Sequence, residues 1–156
     1  MKRVIVLLLW ICTTTLCFSE TFYHDGISFE YGKGWRFYPS KTEKGMVLGF
    51  YRENEKIVNF QKSIADYEGS FEGYTEIFFE KLEENEGIIS KSQIINGTVN
   101  GNEAKFVDIV YSNKVCQRVY LFEKKGYVIW IVLSQRGKKI GSGFSKILDT
   151  FKFNPE

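Results

Sequence analysis

Seven consecutive residues near the carboxyl end, Tyr127-Val128-Ile129-Trp130-Ile131-Val132-Leu133, run without a polar interruption. Successive side chains of a strand point to opposite faces of its sheet, so a strand with one wet face must alternate. A run that is apolar at every position is a central strand covered on both sides. It predicts three layers, and each cover can be sought elsewhere in the sequence. One is announced by Ser70, whose hydroxyl can accept an orphan backbone N–H at a helix start. Phe71, Tyr74, Phe78 and Leu82 follow at spacings of three, four and four. That lines them along one stripe and turns Glu72, Glu76, Glu80 and Glu83 to water. Gly87 is the expected stop. The second cover follows Ser142, its expected cap, where Phe144, Ile147, Leu148 and Phe151 repeat at i, i+3, i+4 and i+7.

The rest reads as strands. Ile27 to Tyr31 alternates, and Gly32-Lys33-Gly34 leads it into Trp35-Arg36-Phe37-Tyr38 with the signature of a hairpin. Met46 to Tyr51 and Ile57 to Ile64 are further strands around the polar turn Arg52 to Glu55. After the first helix, Ile88 to Val99 and Glu103 to Tyr111 flank Asn100-Gly101. That pair tolerates the positive φ of a tight turn, and Asn96-Gly97 is a rival position. Val115 to Phe122 and the apolar run complete a meander. The expected fold class is α+β: a three-layer α/β/α sandwich with a central, mostly antiparallel sheet of about six to eight strands and two main helices.

The amino terminus has a separate purpose. Lys2 and Arg3, the apolar run Val4 to Ile11 and the small, polar stretch Thr13 to Ser19 have the three-part layout of a secretory signal. The apolar run is far shorter than the roughly 20 residues that span a bilayer. Residues 1–19 are thus expected to be a signal peptide cut before Glu20, and residues 20–156 a single exported domain in the periplasm or cell envelope. Lipid attachment at Cys12 or Cys17 is the competing route, and it would tether the chain to a membrane. Cleavage removes the formal net charge of +2 with Lys2 and Arg3, leaving 19 basic against 19 acidic residues. A near-neutral domain has no general attraction for nucleic acid. Its charge is uneven, however. Asp66 to Glu86 holds eight acids and one base, and Lys114 to Lys152 nine bases and two acids.

The order strands, helix, four-strand meander, helix resembles the PsbP-like (Mog/PsbP) superfamily, which includes bacterial exported proteins. The resemblance rests on Asp25-Gly26-Ile27-Ser28-Phe29-Glu30-Tyr31-Gly32-Lys33-Gly34-Trp35, an aromatic strand, a turn and a tryptophan. It rests equally on the closing segment Phe144-Ser145-Lys146-Ile147-Leu148-Asp149-Thr150-Phe151-Lys152-Phe153, and it spans nearly all of residues 22–154. Gly32 stands where many relatives carry proline. The resemblance implies an antiparallel sheet between helices and a non-enzymatic role: assembling membrane complexes, binding a small GTPase, or chaperoning other proteins. It brings no catalytic residues with it.

The inventory for chemistry is thin. His24 is the only histidine, near the expected mature terminus, and a zinc site needs three or four His, Cys or carboxylate ligands. A Ser-His-acid triad would have to recruit that same His24 from a flexible end. Cys116, the one cysteine beyond residue 17, sits in a strand-like run and reads as a small buried hydrophobe. Glu83, Glu84 and Glu86 crowd the C-terminal end of the first helix, where the dipole disfavours anions, which hints at a bound cation. Gly141-Ser142-Gly143, after Arg136, Lys138 and Lys139, opens the last helix as an anion site would, but lacks the phosphate-loop pattern. No catalytic, cofactor or metal residue is assigned.

Two binding readings are left. The leading one is a non-catalytic assembly factor, scaffold or chaperone that docks an unidentified protein through Glu76, Glu80 and Glu83 and through Lys138 and Lys139. The alternative is a small-molecule or lipid carrier with an aromatic groove of Trp35, Phe37 and Tyr38.

Overall fold

The computed structural model describes residues 19–41, 46–51, 56–64 and 69–154. Residues 1–18, which hold most of the expected signal and both Cys12 and Cys17, lie outside the described residues, as does the turn expected at 52–55. The described residues begin with β1 (Ser19–His24) and β2 (Ile27–Gly32), paired antiparallel around Asp25-Gly26. Both turn residues have positive φ, 47° and 72°, the geometry whose twist matches a two-residue hairpin.

β3 (Trp35–Pro39) does not fold back on β2. It pairs with β4 (Met46–Tyr51), and β4 with β5 (Lys56–Ile64), in a second sheet. The hairpin expected at Gly32-Lys33-Gly34 is therefore a crossing between sheets. Burial decides it: Phe29 and Trp35, 1% and 8% exposed, enter one core from opposite layers, which a flat hairpin could not achieve.

Helix α1 (Phe71–Glu83) follows, then β6 (Ile88–Lys91), β7 (Ile95–Val99), β8 (Asn102–Tyr111), β9 (Val115–Lys124) and β10 (Tyr127–Arg136). The main sheet has eight strands among the described residues, in the order β3-β4-β5-β10-β9-β8-β6, with β7 also beside β8. Its pairs are antiparallel, and β10 sits between β5 and β9, as its unbroken apolar run requires. The single strand expected from Ile88 to Val99 is two strands. Ser92 takes over at the break: its amide donates to Asp108 O at 2.9 Å and its hydroxyl accepts from Asp108 N at 3.0 Å. Asn100-Gly101 makes the expected turn, with φ of 46° and 76°, while Asn96-Gly97 lies inside β7.

The two faces of β10 meet different covers. Val128 joins Phe79, Val107, Ile109, Val119 and Leu121 under α1. Ile129, Ile131 and Leu133 point the other way, into a core with Phe29, Phe60, Phe122, Phe144, Ile147 and Phe151. The cover on that side is a 3-10 turn (Ser142–Phe144), helix α2 (Ser145–Thr150) and β11 (Lys152–Phe153), which pairs with β2 to form a three-stranded sheet β1-β2-β11. The expected α/β/α sandwich is present, with this small sheet sharing the third layer with the six-residue α2.

Both helical stripes hold with shifts. Ser70 Oγ accepts from Gly73 N at 3.2 Å, as a cap should. Yet the centreline of α1 is Thr75 and Phe79, both buried, and Phe71, Tyr74, Phe78 and Leu82 flank it. Ser142 caps nothing; the turn begins at Gly141 with no side-chain cap. Phe151 has left the helix, at φ −60° and ψ 129°, and is still fully buried.

Candidate functional site

The outer face of α1 is where charge and exposure coincide. Glu72 at its start pairs with Lys105, and Glu83 at its end with Lys91. Between them Glu76 and Glu80 are exposed and make no ion pair among the described residues. Lys91 reaches up from β6 with its side chain 14% exposed; Nζ lies 2.6 Å from Glu83 Oε1 and donates to Phe79 O at 3.1 Å. The acidic end of α1 thus has its cation built in. This corrects the hint, drawn from Glu83, Glu84 and Glu86, that an outside cation is needed at that end. Lys91 was missed because it comes from another element; the signal available was one basic residue in the apolar stretch after the helix.

Beside this face runs an open cleft of about 490 Å³ between α1 and the segment Lys91 to Ile94. Phe79 and Ile94 floor it, and Glu76, Glu80 and Glu83 form its rim. Elsewhere Ile77 on α1 is 56% exposed, Ile89 on β6 68% and Ile95 on β7 39%; Ile95 lies opposite Phe106 and so belongs to the sheet face away from α1. Scattered exposed isoleucines of this kind are ordinary on any surface.

Lys138 and Lys139 occupy the exposed loop after β10. Gln135 shapes that loop: its Nε2 donates to Lys139 O at 2.7 Å and its Oε1 accepts from Gly141 N at 3.2 Å. The Gly141 amide, expected to help hold an anion, is thereby engaged. Gly137 N donates to Lys114 O at 2.9 Å, and Ser112 N to Gly87 O at 2.8 Å. Those bonds string the loops at 84–87, 112–114 and 137–141 along one end of the main sheet. Lys138 and Lys139 therefore sit toward the acids that follow α1, whereas Glu76 and Glu80 lie along the helix flank.

Trp35, Phe37 and Tyr38 do not line one groove. Alternation along β3 sends the first two into the core and the third to the opposite face. Trp35 stacks on Phe37 at 5.6 Å between centroids and meets Phe144 at 5.7 Å, while Tyr38 is 53% exposed. Phe37 in turn touches Phe22, Phe29 and Tyr31 at 5.4, 4.9 and 4.8 Å.

His24 closes β1, opposite Ile27, with its ring 6.3 Å from that of Phe22; the flexible end expected for it is an ordered hairpin. No cluster of three or more His, Cys, Asp or Glu side chains is placed to hold a metal among the described residues. Cys116 is 3% exposed and its Sγ donates to Gln135 O at 3.5 Å; burial pushes the thiol pKa above its ordinary value. Register alone reveals another pair, Asp108 opposite Arg118. The guanidinium grips both carboxylate oxygens at 2.6 and 2.7 Å and lies 4.8 Å over the Phe106 ring. Hydrogen bonding to Asp108 holds the Arg118 pKa above its already high value.

No family model and no curated protein matches the chain. Solved structures do. The solution structure of cyanobacterial PsbP (CyanoP) from Synechocystis sp. PCC 6803 aligns at a TM-score of 0.59 and 13% identity, over 90% of this chain and 95% of that one. The fold is PsbP-like. LpqN, involved in cell envelope biogenesis of Mycobacterium tuberculosis, aligns at 0.51 and 16% identity over 83% of each chain. A crystal structure from Bacteroides thetaiotaomicron VPI-5482 aligns at 0.55 and 7% identity, over 84% of this chain but 46% of that one. At such identities the PsbP-like likeness describes architecture.

Proposed function

We propose that the chain is an exported, non-catalytic protein of the cell envelope, an assembly factor, scaffold or chaperone, that docks a protein partner on the flank of α1. The observation that carries this reading is the cleft rimmed by Glu76 and Glu80, with Phe79 and Ile94 below. Such a surface suits a partner segment that alternates Lys or Arg with an apolar residue. The charges would steer encounter and fix register, and the apolar contacts would hold the complex. The PsbP-like fold, the envelope role of LpqN and the signal-like amino terminus support the setting. No helix among the described residues is long and apolar enough to cross a membrane.

The test is co-purification from the native envelope fraction with Glu76→Lys/Glu80→Lys, using Lys138→Glu/Lys139→Glu as a charge-matched control. Glu83 is left untouched because Lys91 depends on it. Capture by the first variant should fall at least about tenfold, worth ~1.4 kcal/mol, with the melting temperature unchanged. Equal capture by wild type and Glu76→Lys/Glu80→Lys would refute the α1 site, and loss with the control alone would move the site to the loop end.

A further inference from the structure

At the end of the molecule where the turns of both sheets meet lies a cavity of about 220 Å³. Ile27 and Ile129, 3% and 2% exposed, are its apolar floor, and the rings of Tyr127 and Phe153 are its walls. Asn154 N donates to Gly26 O at 2.7 Å, sealing one side. The rim carries Asp25 and three lysines, Lys62, Lys124 and Lys125. Lys62 is spoken for. Its Nζ lies 3.7 Å from Asp25 Oδ1, donates to Asp25 O at 3.3 Å and sits 4.3 Å over the Tyr127 ring. That pairing offsets the one carboxylate, so the rim keeps the two positive charges of Lys124 and Lys125. Lys124 Nζ lies over the Phe153 ring, 5.8 Å from its centroid, so its ammonium stands beside one wall of the cavity.

We infer that this cavity binds a small organic monoanion, a carboxylate carried on a short apolar chain or a single ring. The apolar group would rest on Ile27 and Ile129, and the carboxylate would face Lys124 and Lys125. The volume suits a small molecule, since pockets for drug-sized ligands start at ~300 Å³. Charge selects among small molecules: an ammonium is repelled by the rim, and an alcohol can accept a hydrogen bond from a lysine but forms no ion pair. Lysine serves here as a compact point charge, so the geometry of the anion matters less than its sign. The cavity opens on the face of the main sheet opposite α1, so this proposal stands or falls independently of the docking reading.

The experiment is an amide NMR titration of the full chain with hexanoate, following Gly26, Gly126, Tyr127 and Asn154. Hexanol, hexylammonium and inorganic phosphate are the matched probes. Saturable shifts with hexanoate, and at least about tenfold weaker responses to the other three, are the expected result. Lys124→Gln/Lys125→Asn should weaken hexanoate by a similar factor at constant melting temperature, asparagine being chosen because residue 125 has φ 49°. No saturation with hexanoate overturns the proposal. So does a response to phosphate equal to that of hexanoate (a bare anion site), an equal response to hexanol (a bare apolar pocket), or affinity unmoved in the lysine variant.

Discussion

Replacing Lys91 by Met tests whether the end of α1 is held as described. Methionine keeps the apolar stem and removes only the ammonium, so packing is preserved. Two interactions are lost. One is the bond from Nζ to Phe79 O at 3.1 Å, made by a side chain only 14% exposed. A hydrogen bond from a charged donor is worth about 1.5–3 kcal/mol. The other is the pair with Glu83, whose side chain is 58% exposed, so solvent screening limits it to a few tenths of a kcal/mol. Together they predict a loss of about 2 kcal/mol, or roughly 6–8 °C in Tm for a chain of this size. Thermal and urea unfolding of the full chain measure it. A second substitution sharpens the result. In the wild type Glu83→Gln should be near neutral, because the lost pair offsets the relief of an anion at a helix C-terminus. In the Lys91→Met background it should stabilise by about 0.3–1 kcal/mol, because an unpaired anion at a helix C-terminus opposes the dipole. A Lys91→Met loss below about 0.5 kcal/mol, or a Glu83→Gln effect no more favourable in the Lys91→Met background than in the wild type, would refute the reasoning.

Two further outcomes follow from burial. Phe151 is fully buried against Phe60, Phe122 and Phe153, at 5.9, 5.7 and 4.9 Å between rings, so Phe151→Ala should cost about 3–5 kcal/mol by urea unfolding, and a loss under ~1.5 would mean that this end is loosely packed. The Cys116 thiol, held protonated above its usual range by burial, should resist a disulfide reagent at pH 8 in the folded chain and react once urea unfolds it; fast labelling of folded protein would contradict the described packing.

Much of the architecture was legible because it is written in short-range patterns. Asn100-Gly101, Ser70 and the unbroken run of β10 each specify their geometry within a few residues. The failures share a cause. Gly32-Lys33-Gly34 carries the local chemistry of a turn whether the next strand pairs or crosses, and only the destination of Trp35 distinguishes them. Phe71, Tyr74, Phe78 and Leu82 share a regular spacing that runs along the flank of α1, and Phe79 at its centre falls outside that spacing. Both candidate sites depend on partners distant in sequence: Lys91 with Glu83 across a turn and a strand, and Lys62, Lys124 and Asp25 gathered around Ile129. Trp35, Phe37 and Tyr38, being adjacent, looked like one surface and are divided by the pleat.

The third layer is built from segments far apart in sequence, β1 and β2 with α2 and β11. β2 accepts β11 as a partner, Glu30 N donates to Thr150 Oγ1 at 2.7 Å, and Asn154 Nδ2 donates to Ser28 Oγ at 2.7 Å, contacts that bridge 120 and 126 positions of sequence. A polypeptide that emerges amino end first can finish the α1 side while Ile129, Ile131 and Leu133 still lack Phe144, Ile147 and Phe151. Contacts of such long reach form late and slowly. During that interval one core is shut and the other is an open apolar sheet face, the kind of surface to which chaperones bind and on which chains aggregate. Residues 144–151 therefore govern how long the newborn chain stays vulnerable, whatever the stability it later attains.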